Sequence, residues 1–146
     1  MPLINFGSVL NFAETLENNA LDVTTKLSRQ DACADLREML EQFIRDIRKN
    51  IQTVQRTRRE NVTEMILEPI KDFTRASFEL EVADSELENP TREQALKLIR
   101  SQAQNAERYY AEAAEKIKAL PEVSRALKTT GKKHAAHLKK LDTVLV

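Results

Sequence analysis

The sequence predicts an all-α protein, and three observations carry that expectation. Two glycines and four prolines in 146 residues leave few turns, while Ala, Leu, Glu, Lys, Arg and Gln are abundant. Apolar residues recur about 100° apart on a helical wheel through several long stretches. Turn and cap signals gather near residues 27–31, 66–90 and 120–121. The expected architecture is one domain over residues 1–146, with helices at about 8–27, 32–65, 91–119 and 121–143 and a long crossover at 66–90. A chain of this length can bury roughly two thirds of its unfolded surface, so neither a metal nor a disulfide is needed to hold a core.

The first helix is read from Leu10, Ala13, Leu16, Ala20, Leu21, Thr24 and Leu27, which share one face. Glu17 falls inside that arc, whereas Glu14 and Asp22 project away from it. Leu27-Ser28-Arg29-Gln30-Asp31 supplies a short connection with capping residues. In the second helix Leu36, Met39, Leu40, Phe43, Ile47, Ile51 and Val54 face inward and Asn50 interrupts the stripe. Its outer face carries Arg45, Asp46, Arg48, Lys49, Arg56, Arg58 and Arg59, a surface that is either solvated or met by an acidic partner.

Pro69 stops this pattern, and ELEVADSELENP follows as an acidic segment in which Phe78, Leu80 and Val82 alternate with Glu79 and Glu81. So long a connection needs a purpose in a compact domain, and crossing from one end of a bundle to the other would supply one. Helices two and three would then run parallel. Asn89-Pro90-Thr91-Arg92-Glu93 predicts the third helix start, with Asn89 as N-cap and Pro90 in the first helical position. Its stripe is Ile99, Ala103, Ala106, Tyr110, Ala113 and Ile117, with Gln102 and Tyr109 inside the arc. After Leu120-Pro121 the fourth helix presents Val123, Ala126, Leu127, Leu138, Leu141 and Leu145, with His134 near mid-stripe and Thr130 and His137 beside it. Gly131 within a helix costs about 1 kcal/mol against alanine. Either a neighbouring chain approaches closely there or a larger residue has been lost.

Lys plus Arg and Asp plus Glu both number 23, so no global field favours nucleic acid or an anionic membrane, and neither partner is expected. The basic runs Arg56-Thr57-Arg58-Arg59 and Lys132-Lys133 fit the solvated faces of amphipathic helices. Cys33 is the single cysteine, which excludes an internal disulfide and suits a reducing, cytoplasmic setting. The sequon Asn61-Val62-Thr63 would go unused there. MPLINFGSVLNF lacks a basic n-region and a long apolar run, so no signal peptide or membrane span is expected. The apolar Met1–Phe6 stretch is instead a reason to expect a homodimer. No Gly-rich phosphate loop, Ser-His-Asp set or Cys-x-x-Cys pair occurs.

Four segments resemble the ferritin-like superfamily, and within it the rubrerythrin-like branch. LNFAETLENNALDVTTKLS is similar to that family's first helix, with Glu17 at the place of a metal-binding Glu; RRENVTEMILEPI resembles the end of the second helix, AERYYAEAAEKI the third, and KKHAAHLKKL the tail of the fourth. The resemblance implies a ferritin-like four-helix bundle with its crossover between helices two and three. Active relatives hold two irons with a Glu on helices one and three and a Glu-x-x-His on helices two and four. Here the matching positions are Glu17, Ile47 with Asn50, Gln102 or Ala103, and Gly131 with His134, and no carboxylate lies between Glu93 and Glu107. The di-iron site is thus degenerate, and a di-iron enzyme is not expected.

Two readings of the remaining residues follow from the resemblance. In one, Glu17, Asn50, Gln102 and His134, one per helix and at similar heights, form a buried polar layer, no cofactor is present, and the bundle is a non-catalytic interaction or structural module with an unidentified protein partner. In the other, Glu17, His134 and His137 hold a single iron or zinc ion, the two imidazoles being three residues apart.

Overall fold

The computed structural model describes residues 6–61 and 73–144, and among them the chain forms four α-helices and no strand. These are α1 (Phe6–Ser28), α2 (Arg37–Glu60), α3 (Arg92–Lys116) and α4 (Pro121–Val144). Two apolar clusters fix how they run. One joins Val9 and Phe12 of α1 to Val54 of α2, Ala113 of α3 and Val123 and Leu127 of α4. The other joins Leu27, Leu40, Leu96 and Leu141. The start of α1 therefore meets the ends of α2 and α3 and the start of α4, so α2 and α3 run parallel and each is antiparallel to both α1 and α4.

The helix ends depart from the sequence expectation in physically informative ways. α2 begins at Arg37 rather than Ala32, because Asp31–Leu36 is a 3-10 turn with a break at Cys33 (φ −104°, ψ 15°). The turn buries Cys33 and Leu36, and Arg37 Nε donates to the Ser28 carbonyl at 2.7 Å, tying the new helix to the end of α1. α2 ends at Glu60, with Asn61 out of helical geometry; residues 62–65, also expected to be helical, lie outside the described residues, as do Pro69, Met1–Asn5 and Leu145. The cap of α3 is Thr91, not Asn89. Thr91 Oγ1 accepts from the Gln94 amide at 3.0 Å while Gln94 Oε1 accepts from the Thr91 amide at 2.9 Å, a reciprocal capping box. Asn89 instead takes φ 47°, a left-handed turn that asparagine tolerates better than most residues. α3 stops at Lys116, three residues short of the expected end.

The described part of the crossover contains two 3-10 turns, Arg75–Phe78 and Asp84–Leu87. The alternation of Phe78, Leu80 and Val82 does not become a strand: Phe78 is buried, Val82 half-buried, and Leu80 is 42% exposed. Burying Phe73 and Phe78 contributes about 1.5–3 kcal/mol apiece. Their rings stand 5.5 and 5.2 Å from that of Tyr109, which also meets Phe12 at 5.1 Å. Polar ties complete the seam. Asn105 Nδ2 donates to the Phe78 carbonyl at 2.6 Å, Arg108 Nη2 to the Ser77 carbonyl at 2.6 Å, and Gln30 Nε2 to the Leu87 carbonyl at 3.0 Å. Among the described residues no helix is long and apolar enough to cross a membrane.

Candidate functional site

Between the two apolar clusters the bundle axis turns polar. Glu17 sits halfway along α1 and is fully buried; Asn50 and His134, near the middles of α2 and α4, are 4% and 2% exposed. Asn50 Nδ2 donates to Glu17 Oε1 at 3.2 Å, and His134 Nε2 lies 2.7 Å from Glu17 Oε2, which assigns the imidazole N–H to Nε2. The third contact comes from Tyr110, whose O–H donates to the same Oε2 at 2.6 Å. One carboxyl group thus accepts from α2, α3 and α4 together, and the ring of Tyr110 stacks on that of His134 at 5.9 Å. Burial, followed by the charge of Glu17 and the bond to it, holds the Tyr110 phenol well above its usual range, so it remains an O–H donor.

Sequence reasoning brought Gln102 to this layer, and the structure puts Tyr110 in its stead. Gln102 is half-buried and lies between a cleft of about 240 Å³, walled by α1, α3 and the Glu79–Glu81 segment, and the small void beside His134 and His137. It makes no hydrogen bond to Glu17, Asn50 or His134. Tyr110 was legible only as a core residue, because a phenol in an apolar stripe shows its ring in the pattern and hides its hydroxyl.

Gly131 explains how α3 and α4 come close enough. A Cβ at Gly131 would lie 2.9 Å from Tyr110 Cβ, nearer than side-chain carbons pack. Of the two alternatives posed by this glycine, close approach of a neighbour is the one with a visible partner.

His137 extends the polar region toward the surface. Its Nε2 is bound to Asp46 Oδ2 at 2.9 Å, its ring stacks on Phe43 with centroids 3.9 Å apart, and His134 meets it edge-on at 5.7 Å. Asp46 also accepts from Gln42 Nε2 at 3.0 Å, and Gln42 Oε1 in turn accepts from Arg45 at 2.7 Å. Asp46 had read as an outer-face acid, but its side chain is only 16% exposed. The signal was its place beside Ile47, at the flank of the apolar stripe.

The imidazole of His137 is held below its usual range, first by burial and then by His134, against the opposing pull of Asp46 and Glu17. Partial burial pulls Asp46 upward, but its bonds from His137 and Gln42 and the charges of His137 and Lys133 outweigh this and hold it below the ordinary carboxylate value. Both depressed values act in the same direction. A folded-state value below the unfolded one gives stability that is complete above the unfolded value and lost as pH falls toward the folded one. For His137 the loss therefore begins below its ordinary 6.5, and for Asp46 below 3.8. The melting temperature is expected to fall from pH 7 to pH 5, and His137→Gln, which can still donate to Asp46 but does not titrate, should flatten that slope. An unchanged slope in the variant would assign the loss elsewhere.

The residues fit a metal ion poorly as they stand. Two ligands of a tetrahedral zinc or iron sit roughly 3.3 Å apart, given bond lengths near 2.0–2.1 Å. Glu17 and His134 are 2.7 Å apart with a proton between them, and His137 is turned to Asp46. Among the described residues no group of three or more His, Cys, Asp or Glu side chains is arranged to hold an ion. The void bordered by His134 and His137 measures about 10 Å³, room for a single water at most.

Comparison of the chain with protein-family models, with curated proteins and with solved structures finds no match.

Proposed function

We propose that the chain is a ferritin-like bundle of the rubrerythrin-like kind in which a hydrogen-bonded layer stands where relatives carry a di-iron site, and that it acts through its surface as a non-catalytic interaction or structural module. The observation that carries this reading is the closure of the layer. Glu17 accepts from Asn50, Tyr110 and His134, and among the described residues no buried side-chain nitrogen or oxygen lacks a partner. A substrate or ion would have to break those bonds and find space beside them. Such a layer fixes register, because sliding one helix by a turn strands several polar groups at once. The parallel course of α2 and α3 supports the ferritin-like reading, and the single buried cysteine suits a cytoplasmic setting. A homodimer is part of the same proposal, resting on the apolar Met1–Phe6 stretch and checked by light scattering.

Metal titration tests the central claim. A ligand that binds only the folded state raises the melting temperature by mass action, about 2.7 kcal/mol of stabilisation at a hundredfold excess over its dissociation constant. Added Fe(II) or Zn(II) is expected to leave the wild-type melting temperature unchanged, and the protein as isolated should carry no stoichiometric transition metal. A saturable rise that disappears in both Glu17→Gln and His134→Ala would establish the single-ion reading with Glu17, His134 and His137 instead.

A further inference from the structure

The corner where α1 hands over to α2 holds a second concentration of chemistry, separate from the core layer. A groove of about 540 Å³ is walled by Arg29 just after α1 and by Arg37, Arg45 and Arg48 along the first half of α2, with Thr25 and Ser28 between them. Glu41 is the single acid in its wall, leaving a surplus of three positive charges in a chain whose formal net charge is zero. Three arginines elsewhere are paired with acids, Arg58 with Glu14, Arg92 with Asp35 and Arg100 with Asp142. Among the described residues none of the four groove arginines forms an ion pair.

Two of the four are held in position. Arg37 uses its Nε on the Ser28 carbonyl, which neutralises the negative end of α1 and leaves both Nη groups for an external acceptor. Arg45 is fixed by Gln42, Gln42 by Asp46, and Asp46 by the buried His137, so a continuous chain of bonds runs from the bundle interior to the groove wall. Holding a long side chain in advance removes much of the entropy that binding would otherwise lose.

We propose that this groove is a binding site for a compact polyanion carrying two or more neighbouring phosphoryl groups. Guanidinium forks match phosphoryl oxygens two at a time, and arginines from α2 and from the connection before it, set around one concavity, can engage adjacent groups together. The wall offers little to other acidic partners. Ile44 is its one large apolar residue and is itself buried, so a peptide would find no anchor, and there is no aromatic platform for a base. This inference extends the surface-acting reading by naming a ligand class, and no groove residue belongs to the core layer. Metal titration interrogates the layer and phosphate titration the groove, so either can fail alone.

The test is thermal and calorimetric titration of the full chain with inorganic tripolyphosphate at constant ionic strength. A saturable rise in melting temperature is expected, with binding weakened at least about tenfold in Arg45→Gln/Arg48→Gln. Both residues are exposed and the variant should fold; circular dichroism checks this, and Arg56→Gln, exposed farther along α2, should bind as wild type. A nucleoside triphosphate run alongside should bind within about threefold of tripolyphosphate, since only the phosphate chain is recognised. No saturable response, undiminished binding by the double variant, binding of the nucleotide alone, or binding of polyglutamate in place of phosphate would each overturn the assignment.

Discussion

Glu17→Leu is expected to lower the free energy of unfolding by about 3–5 kcal/mol, a large share of the 5–15 kcal/mol that holds a domain of this kind together. The magnitude follows from what the carboxylate leaves behind. Tyr110 O–H, Asn50 Nδ2 and His134 Nε2 all aim at its two oxygens. A buried donor stranded without an acceptor costs about 1–3 kcal/mol. The three will not suffer equally. Asn50 Nδ2 is already 3.4 Å from His134 Nε2, so a change of tautomer lets the imidazole accept from the amide and both recover part of the loss. Tyr110 has no such recourse, since burial holds it in the protonated, donating form. Adding Tyr110→Phe to Glu17→Leu should therefore restore about 1–2 kcal/mol, even though Tyr110→Phe alone destabilises. Replacing Glu17 and His134 together by apolar residues should likewise cost less than the two single changes summed. Urea unfolding with unchanged m values is the measurement, and strict additivity in both pairs would show that the layer does not act as a unit.

The residues that were legible in the sequence were those whose chemistry disagrees with their setting. Glu17, Asn50 and His134 each interrupt an apolar stripe, and periodicity alone places them on inward faces. The parallel course of α2 and α3 was legible for a different reason, because a hairpin needs only a short turn and so long a connection suits a crossing from one end of the bundle to the other. Tyr110, Asp46 and Gln42 were not legible as members of a network. A tyrosine conforms to an apolar stripe, and an aspartate at the edge of one looks solvated. Only the rotation of neighbouring helices decides whether such a group meets a partner. The helix ends show the same limit. Thr91 and Asn89 both have capping chemistry, and the choice fell to Thr91 because Gln94 stands three residues on to complete the box. Gln102 lies within the inward arc and lines the small void beside His134 and His137, but it also faces the outer cleft and makes none of the layer's hydrogen bonds.

Gly131→Ala is expected to destabilise the protein by about 1–2 kcal/mol, against the sign of helix propensity. In an exposed helix the same change stabilises by about 1 kcal/mol, because alanine loses less conformational freedom on folding. Here the new methyl would sit 2.9 Å from Tyr110 Cβ. That atom is fixed to the α3 backbone and cannot swing aside as the tip of a long side chain would, so α3 and α4 must separate by several tenths of an ångström. Overpacking of this kind costs about 1–3 kcal/mol. The separation also draws the Tyr110 hydroxyl away from Glu17, lengthening a 2.6 Å bond in the layer. Ala136→Gly, at an exposed position on the same helix, isolates the propensity effect and should lose about 1 kcal/mol. Gly131→Glu would recreate the Glu-x-x-His spacing with His134. The new Cβ meets the same obstruction, so an acid there and a tyrosine at 110 compete for one space, and Gly131→Glu should destabilise more than Gly131→Ala. If Gly131→Ala instead matches or exceeds the wild type in urea while Ala136→Gly loses its expected amount, the close approach of α3 and α4 at Tyr110 is wrong.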